Sequence, residues 1–234
     1  MLRSAFLTGL LLLGAPAAHA QSSVVIWPIN PTIAPGEQAT AIWLENHGTE
    51  PVTLQIRALG WRQNGAENVT ERQDEVVSSP PLAEVAPGKR QLIRLIRRKP
   101  QAGRGERAFR LLIDELPKPI DAAAPARPAA QLAVQMRYSV PLFTGAPEDA
   151  EPRLTIRRYT DAGRAMVEVR NDGAGHARLT DLRVAGRAAP VIPGLMGYVL
   201  AGATMRWELP ADAGLGEALV ANVNGRDRTL PTAA

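Results

Sequence analysis

The stretch AAQLAVQMRYSVPLF, Ala129 to Phe143, decides how the rest of the chain is read. Every second residue is apolar: Ala130, Leu132, Val134, Met136, Tyr138, Val140 and Leu142. The other register, Gln131, Ala133, Gln135, Arg137 and Ser139, is mostly polar. A period of two with one apolar face predicts a half-buried β-strand. The strand is long, since globular strands run to about 5–6 residues. It follows directly on DAAAPARPAA, an Ala/Pro-rich segment that gives the front of the apolar face nothing to pack on.

Outward from this stretch the pattern stays extended. SVVIWPINPTI carries two prolines that forbid a helix and suit an edge strand. TAIWLEN, VTLQIRALGW, QLIRLIR and RAFRLLIDELP alternate, and are separated by NHGTEP, APGKR and AGRGE turns. Between them, GAENVTERQDEVVSSPPLAEV reads as polar, then extended. Seven or so strands with turn signals every 8–12 residues predict an immunoglobulin-like β-sandwich. TGAPEDAEP reads as a linker, and a second, smaller set of strands follows: RLTIRRY, AMVEVRN, ARLTDLRVAG, GYVLAG, TMRWELP and ALVANVNG. The expected fold class is all-β, with two immunoglobulin-like sandwiches in series. The expected domains span residues 21–145 and 150–231.

Residues 1–20 read as a secretory signal peptide. Arg3 supplies the positive end, AFLTGLLLLGA the apolar region and Ala18-His19-Ala20 the cleavage site. The apolar run is shorter than the roughly 20 residues of a membrane span, so no stable membrane insertion is expected. The 234 residues include no cysteine, which excludes disulfides, thiol catalysis and Cys-ligated metal. The formal net charge of +4 falls to about +3 without Arg3. A mildly basic exported chain suits an anionic group such as a carboxylate better than nucleic acid.

Catalytic patterns are missing. His47 and His176 both sit beside glycine and read as surface-turn residues rather than zinc ligands. There is no H-E-x-x-H, G-x-S-x-G or phosphate loop. Asp114 and Glu115 are adjacent in a strand and therefore point to opposite faces, so one is expected to be buried with a partner and the other solvated. No enzyme activity, cofactor or metal is expected.

Six segments in order resemble the two-domain periplasmic pilus-assembly (fimbrial) chaperones, within them the branch that serves archaic and spore-coat-U-like pili. The segments are VVIWPINPTI with WLEN, LQIRALGW, SSPPLAEVAPGKRQLIRL, FRLLIDELP, QMRYSVPLF and GLMGYVLAGATMRWEL. The resemblance implies a periplasmic location, a pilus or spore-coat-like subunit as partner, and delivery of that subunit to an outer-membrane usher. It also implies donor-strand complementation, in which the chaperone lends a strand to an incomplete sandwich. Ala130, Leu132, Val134 and Met136 would then fill the subunit's groove. Read from its pattern alone, the same segment is better taken as a core strand of its own domain; the resemblance reverses that preference.

In the better-known branch a cleft Arg and a cleft Lys hold the subunit's C-terminal carboxylate. Those positions fall near Asn30 and Ser139 here, and neither is basic. The candidates for the anchor are Arg110, then Arg137, then Arg94, because a planar guanidinium can bind both carboxylate oxygens. The alternative for each is a solvated strand-face Arg or an internal pair such as Arg110 with Asp114. A secreted pilin or adhesin is the competing class, but it would be a single incomplete sandwich.

Overall fold

Prolines, glycines and alternating apolar residues divide this chain into strands. The computed structural model describes residues 24–99, 105–117, 135–147, 149–214 and 216–233, and in them only a 3-10 turn at Ala211–Ala213 is helical. The first half contains β1 (Val24–Trp27), β2 (Thr32–Ile33), β3 (Ala39–Asn46), β4 (Val52–Asn64) and β5 (Glu67–Glu71). β6 (Val76–Ser79), β7 (Leu82–Val85), β8 (Arg90–Arg97), β9 (Arg107–Glu115) and β10 (Arg137–Thr144) complete it. One sheet runs β1-β3-β8-β6; the other runs β2-β10-β9-β4-β5, with β7 also on β4.

The second half contains β11 (Leu154–Asp161), β12 (Arg164–Asn171), β13 (Ala177–Val184) and β14 (Ile192–Val199). β15 (Thr204–Glu208), β16 (Leu219–Val223) and β17 (Arg226–Leu230) follow. Its sheets run β11-β12-β15 and β14-β13-β16-β17. Among the described residues no strand pair links the two halves.

Alternation fills each core. In the first half Ile42, Leu44, Leu54, Ile56, Ile93, Leu95, Leu111 and Ile113 are essentially inaccessible. Burying a side chain of this size contributes roughly 1.5–3 kcal/mol. Val167, Val169, Leu179, Leu182 and Leu219 do the same in the second half.

The turn signals are realised with backbone geometry that explains them. Ala162 and Gly163 have φ of 47° and 80° and join β11 to β12; Asn224 and Gly225, at 51° and 88°, join β16 to β17. Two left-handed residues in a two-residue loop match the twist of the flanking strands, which favours Asn-Gly. The polar stretch after Trp61 is more regular than its composition suggests. β4 runs on to Asn64 and turns back as β5, pairing Gly60 with Glu71 and Asn64 with Glu67.

β10 departs from simple alternation. Arg137 and Ser139 are exposed as expected, but Val140 to Thr144 are buried without a break. One face of that run closes the first core, through Val140 and Leu142. Phe143, on the other face, joins a small cluster with Trp61 and Leu200 between the halves.

Candidate functional site: an open strand edge and an arginine at the seam

β1 lies at the edge of its sheet, bonded among the described strands only to β3. Pro28 to Pro31 carry the chain across to β2, which runs parallel to β10 and pairs only at Phe143 and Thr144. A connection this short puts β1 and β10 on the same side of the sandwich. The other side of β10 is fully occupied by β9, from Arg137 opposite Asp114 to Thr144 opposite Arg107. Among the described residues, therefore, the pairing of β2 on the outer side of β10 is confined to Phe143 and Thr144.

Apolar side chains are exposed nearby. Ile29 is 65% exposed and Met136 38%; on the outer face of β1, Val25 is 43% exposed and Trp27 40%, with the Trp27 ring stacked on Trp43 at 5.6 Å. Inward-facing Ile26 and Tyr138 pack against the first core, and the Tyr138 hydroxyl donates to Glu115 Oε1 at 2.8 Å. Met136 is the one donor-face residue of the four that is described, and its carbonyl accepts from the Glu115 N–H at 3.0 Å. Ala130, Leu132 and Val134 lie outside the described residues.

The three anchor candidates are not brought together. Arg94 is exposed on the outer face of the β1-β3-β8-β6 sheet, beside Ala41 and Ser79 in register. Arg137 donates through Nε to Asp114 Oδ1, and Arg57 donates to Asp114 Oδ2 at 2.7 Å. The alternative pair of Arg110 with Asp114 is therefore not formed; Asp114, which is buried, is held by the strands on either side. Burial alone would raise the Asp114 carboxyl, but the hydrogen bonds from Arg137 and Arg57 outweigh it and hold the group below the usual range.

Arg110 faces the seam. Its Cζ lies 3.6 Å from the Trp61 ring centroid and 5.5 Å from that of Tyr198. Among the described residues no carboxylate or carbonyl pairs with it. Burial pulls its guanidinium below the ordinary value, with Tyr198 offsetting part of the effect. An arginine stays protonated through such a shift, so the seam presents a partly desolvated cation. Stacking on rings leaves the edge of a guanidinium free to bind a planar anion.

His176 is the second departure from the sequence reading. His47 is exposed and lies 3.1 Å from Glu45, as befits a turn residue. His176 instead stacks on Phe143 with ring centroids 3.5 Å apart, and its Nδ1 lies 2.9 Å from Glu106. A second bond, from its backbone N–H to Glu106 Oε2 at 2.7 Å, fixes the loop as well. The sequence offered no periodic signal for this contact, because the partners are 70 residues apart. Among the described residues no group of His, Asp and Glu could hold a metal ion, and no helix is long and apolar enough to cross a membrane.

Two β-sandwiches in series define an all-β, two-domain immunoglobulin-like protein. Residues 25–149 match the family described as pili and flagellar-assembly chaperone, PapD N-terminal domain, and the chain belongs to that family. Pilus chaperones of this kind act in the periplasm. A similar solved structure is the chaperone–tip adhesion subunit pre-assembly complex CsuC–CsuE, from the archaic chaperone-usher Csu pili of Acinetobacter baumannii. Identity to it is 26%, with a TM-score of 0.74, covering 91% of this chain and 100% of that one. The E. coli chaperone DraB has 14% identity and a TM-score of 0.62, covering 90% of this chain and 97% of its own. The Pseudomonas aeruginosa CupB2 chaperone has 16% identity and a TM-score of 0.60, covering 88% and 100%. These two likenesses speak for the fold. A search of curated protein sequences returned no match.

Proposed function

We propose that this chain captures a pilus or spore-coat-like subunit by donor-strand complementation and delivers it to an outer-membrane usher. The observation that carries the reading is the short pairing on the outer side of β10, confined among the described residues to Phe143 and Thr144 against β2, with Met136 exposed just before the strand. The donor strand would run through Ala130, Leu132, Val134 and Met136, continuing β10 outward. The signal peptide would end near Ala20, and the functional units would span residues 21–145 and 150–231.

Arg110 is the proposed anchor for the subunit's terminal carboxylate. It is partly desolvated and carries no competing acid among the described residues. Arg137 stands second because Asp114 already holds it. Arg94 stands third because it lies on the opposite outer face.

Co-expression with a candidate pilus subunit, followed by pull-down through a tag on the chaperone, tests this. Wild type is expected to yield a stable one-to-one complex. Leu132→Glu would place a carboxylate in an apolar groove and reduce capture by roughly tenfold or more. Arg110→Ala should weaken capture while the protein stays folded by circular dichroism. Equal capture by wild type and Leu132→Glu would sink the donor-strand reading.

A further inference from the structure

Two side chains carry polar contacts between the halves: Glu106, which holds His176, and Gln63. Gln63, at the end of β4, donates from Nε2 to the Tyr198 carbonyl at 2.8 Å. Its Oε1 accepts from the Leu200 N–H at 2.9 Å. Tyr198 belongs to β14, an edge strand, and Leu200 follows it directly. One acceptor and one donor, offered side by side, are what the peptide unit of a neighbouring strand would present to that edge. The Gln63 carboxamide thus stands in for a neighbouring strand on the edge of β14.

Its direction is fixed from the other side. An indole N–H can only donate. Trp61 Nε1 donates to Asn68 Oδ1 at 2.9 Å, and the same oxygen accepts from Gln63 Nε2 at 3.0 Å. Asn68 therefore turns its oxygen inward, and Gln63 must turn its NH2 toward it. Reversing the Gln63 amide would set oxygen against oxygen at both Asn68 and Tyr198. The polarity chosen by the indole passes through Asn68 and Gln63 to the backbone of β14.

The chain of bonds ends where the cation sits. The Tyr198 ring meets the Trp61 ring edge-on at 5.6 Å, and the Arg110 guanidinium lies against both. We propose that Gln63 is a positioning residue: oriented by Trp61 and Asn68, its carboxamide holds β14 in place, fixing the angle between the halves and keeping Tyr198 against Arg110 before any partner binds. The functional part of this inference rests on Arg110 being the anchor. Phe143, His176 and Glu106 also span the seam, so loss of Gln63 loosens the halves without separating them.

The chain has no cysteine, so a spin-label pair can be placed cleanly. Glu84→Cys and Arg226→Cys, both at exposed positions, put one label in each half. The inter-label distance distribution is expected to be narrow. Gln63→Met, which keeps the length and removes both bonds, broadens it; Asn68→Leu does the same by removing the acceptor. Asn68→Asp keeps both acceptor contacts and stays narrow. In parallel, the complex with a co-expressed pilus subunit should dissociate roughly tenfold faster for Gln63→Met and Asn68→Leu, with Asn68→Asp like wild type. Unchanged distance widths in Gln63→Met and Asn68→Leu overturn the inference. So do broadened widths with unchanged dissociation, since the contact would then be structural only. A wild type that captures no subunit sinks the chaperone reading instead, and the distances alone then decide whether Gln63 sets the angle.

Discussion

The two halves close their sandwiches with the same two devices. At the end of β3, Asn46 donates to the carbonyls of Glu50 and Val85, each at 2.8 Å, and accepts from the Gly48 N–H. At the end of β12, Asn171 donates to Gly175 and Val199, and accepts from both Gly173 and Arg153. On a central strand of the first half Asp114 is held by Arg57 and Arg137; on that of the second, Glu168 is held by Arg157 at 3.2 Å and Arg206 at 2.7 Å. The halves differ in what they leave uncovered. Among the described residues the exposed large apolar side chains of the first half are Val25, Trp27, Ile29, Leu82 and Met136, whereas the second exposes Leu195 alone. Internal architecture is thus shared, and the exposed apolar surface is concentrated in one half. Clustered exposed apolar side chains are a liability unless a partner covers them.

The largest expected effects come from the asparagines, because removing one leaves several buried backbone groups without partners at once. Asn171→Ala should cost about 3 kcal/mol and Asn46→Ala about 2 kcal/mol, following the number of bonds each makes. Urea unfolding followed by fluorescence reads both. Equal costs would mean that the count of bonds does not govern the difference. Gly173 sharpens the same contrast by steric means. A Cβ there would lie 2.3 Å from the Glu151 carbonyl oxygen, so Gly173→Ala must displace the loop that Asn171 organises.

The carboxylate triads should matter less. Their arginine side chains are 43–64% exposed, so solvent screens much of the attraction. Asp114→Asn and Glu168→Gln are each expected to cost roughly 0.5–1 kcal/mol in urea at neutral pH, and less in high salt. A salt-independent loss in either would point to packing rather than charge.

Much of this organisation was legible in the sequence, and the remainder was not, for a physical reason. Strands such as β3, β4 and β9 announce themselves because a face is buried locally and alternation records it. The Asn224-Gly225 hairpin, by contrast, reads in the sequence as the end of a strand segment, and only the structure shows its left-handed backbone. The seam could not be read at all. Trp61, Gln63, Asn68, Phe143, His176 and Tyr198 meet through tertiary packing, and nothing in their spacing joins residues up to 137 positions apart. Phe143 read simply as the end of a strand, and His176 as a turn residue. Arg110 could be picked out from its neighbours on one strand face, but its rings come from elsewhere in the chain.

Acid offers the finest test of the shared triads. Hydrogen bonds from Arg157 and Arg206 outweigh burial and hold the Glu168 carboxyl below its usual range, as Arg137 and Arg57 do for Asp114. A carboxyl depressed in the folded state binds its proton less tightly there than in the unfolded chain. Its contribution to stability is therefore complete above the unfolded value, near pH 4, and fades as pH falls through the folded one. Neither group should produce any slope between about pH 5 and pH 8. Below about pH 4 stability should fall, and the double variant Asp114→Asn/Glu168→Gln should show a shallower acid limb than wild type. Asp74 and Asp227 are also depressed, by Lys99 and by Asn222 with Arg183, so some slope should persist. Urea midpoints for wild type, each single variant and the double variant at about pH 3 and about pH 7 decide the matter. Matching reductions from the two single variants would make the triads equivalent devices. An acid limb unchanged in the double variant would break the comparison, and would leave the asparagines as the only device the halves share.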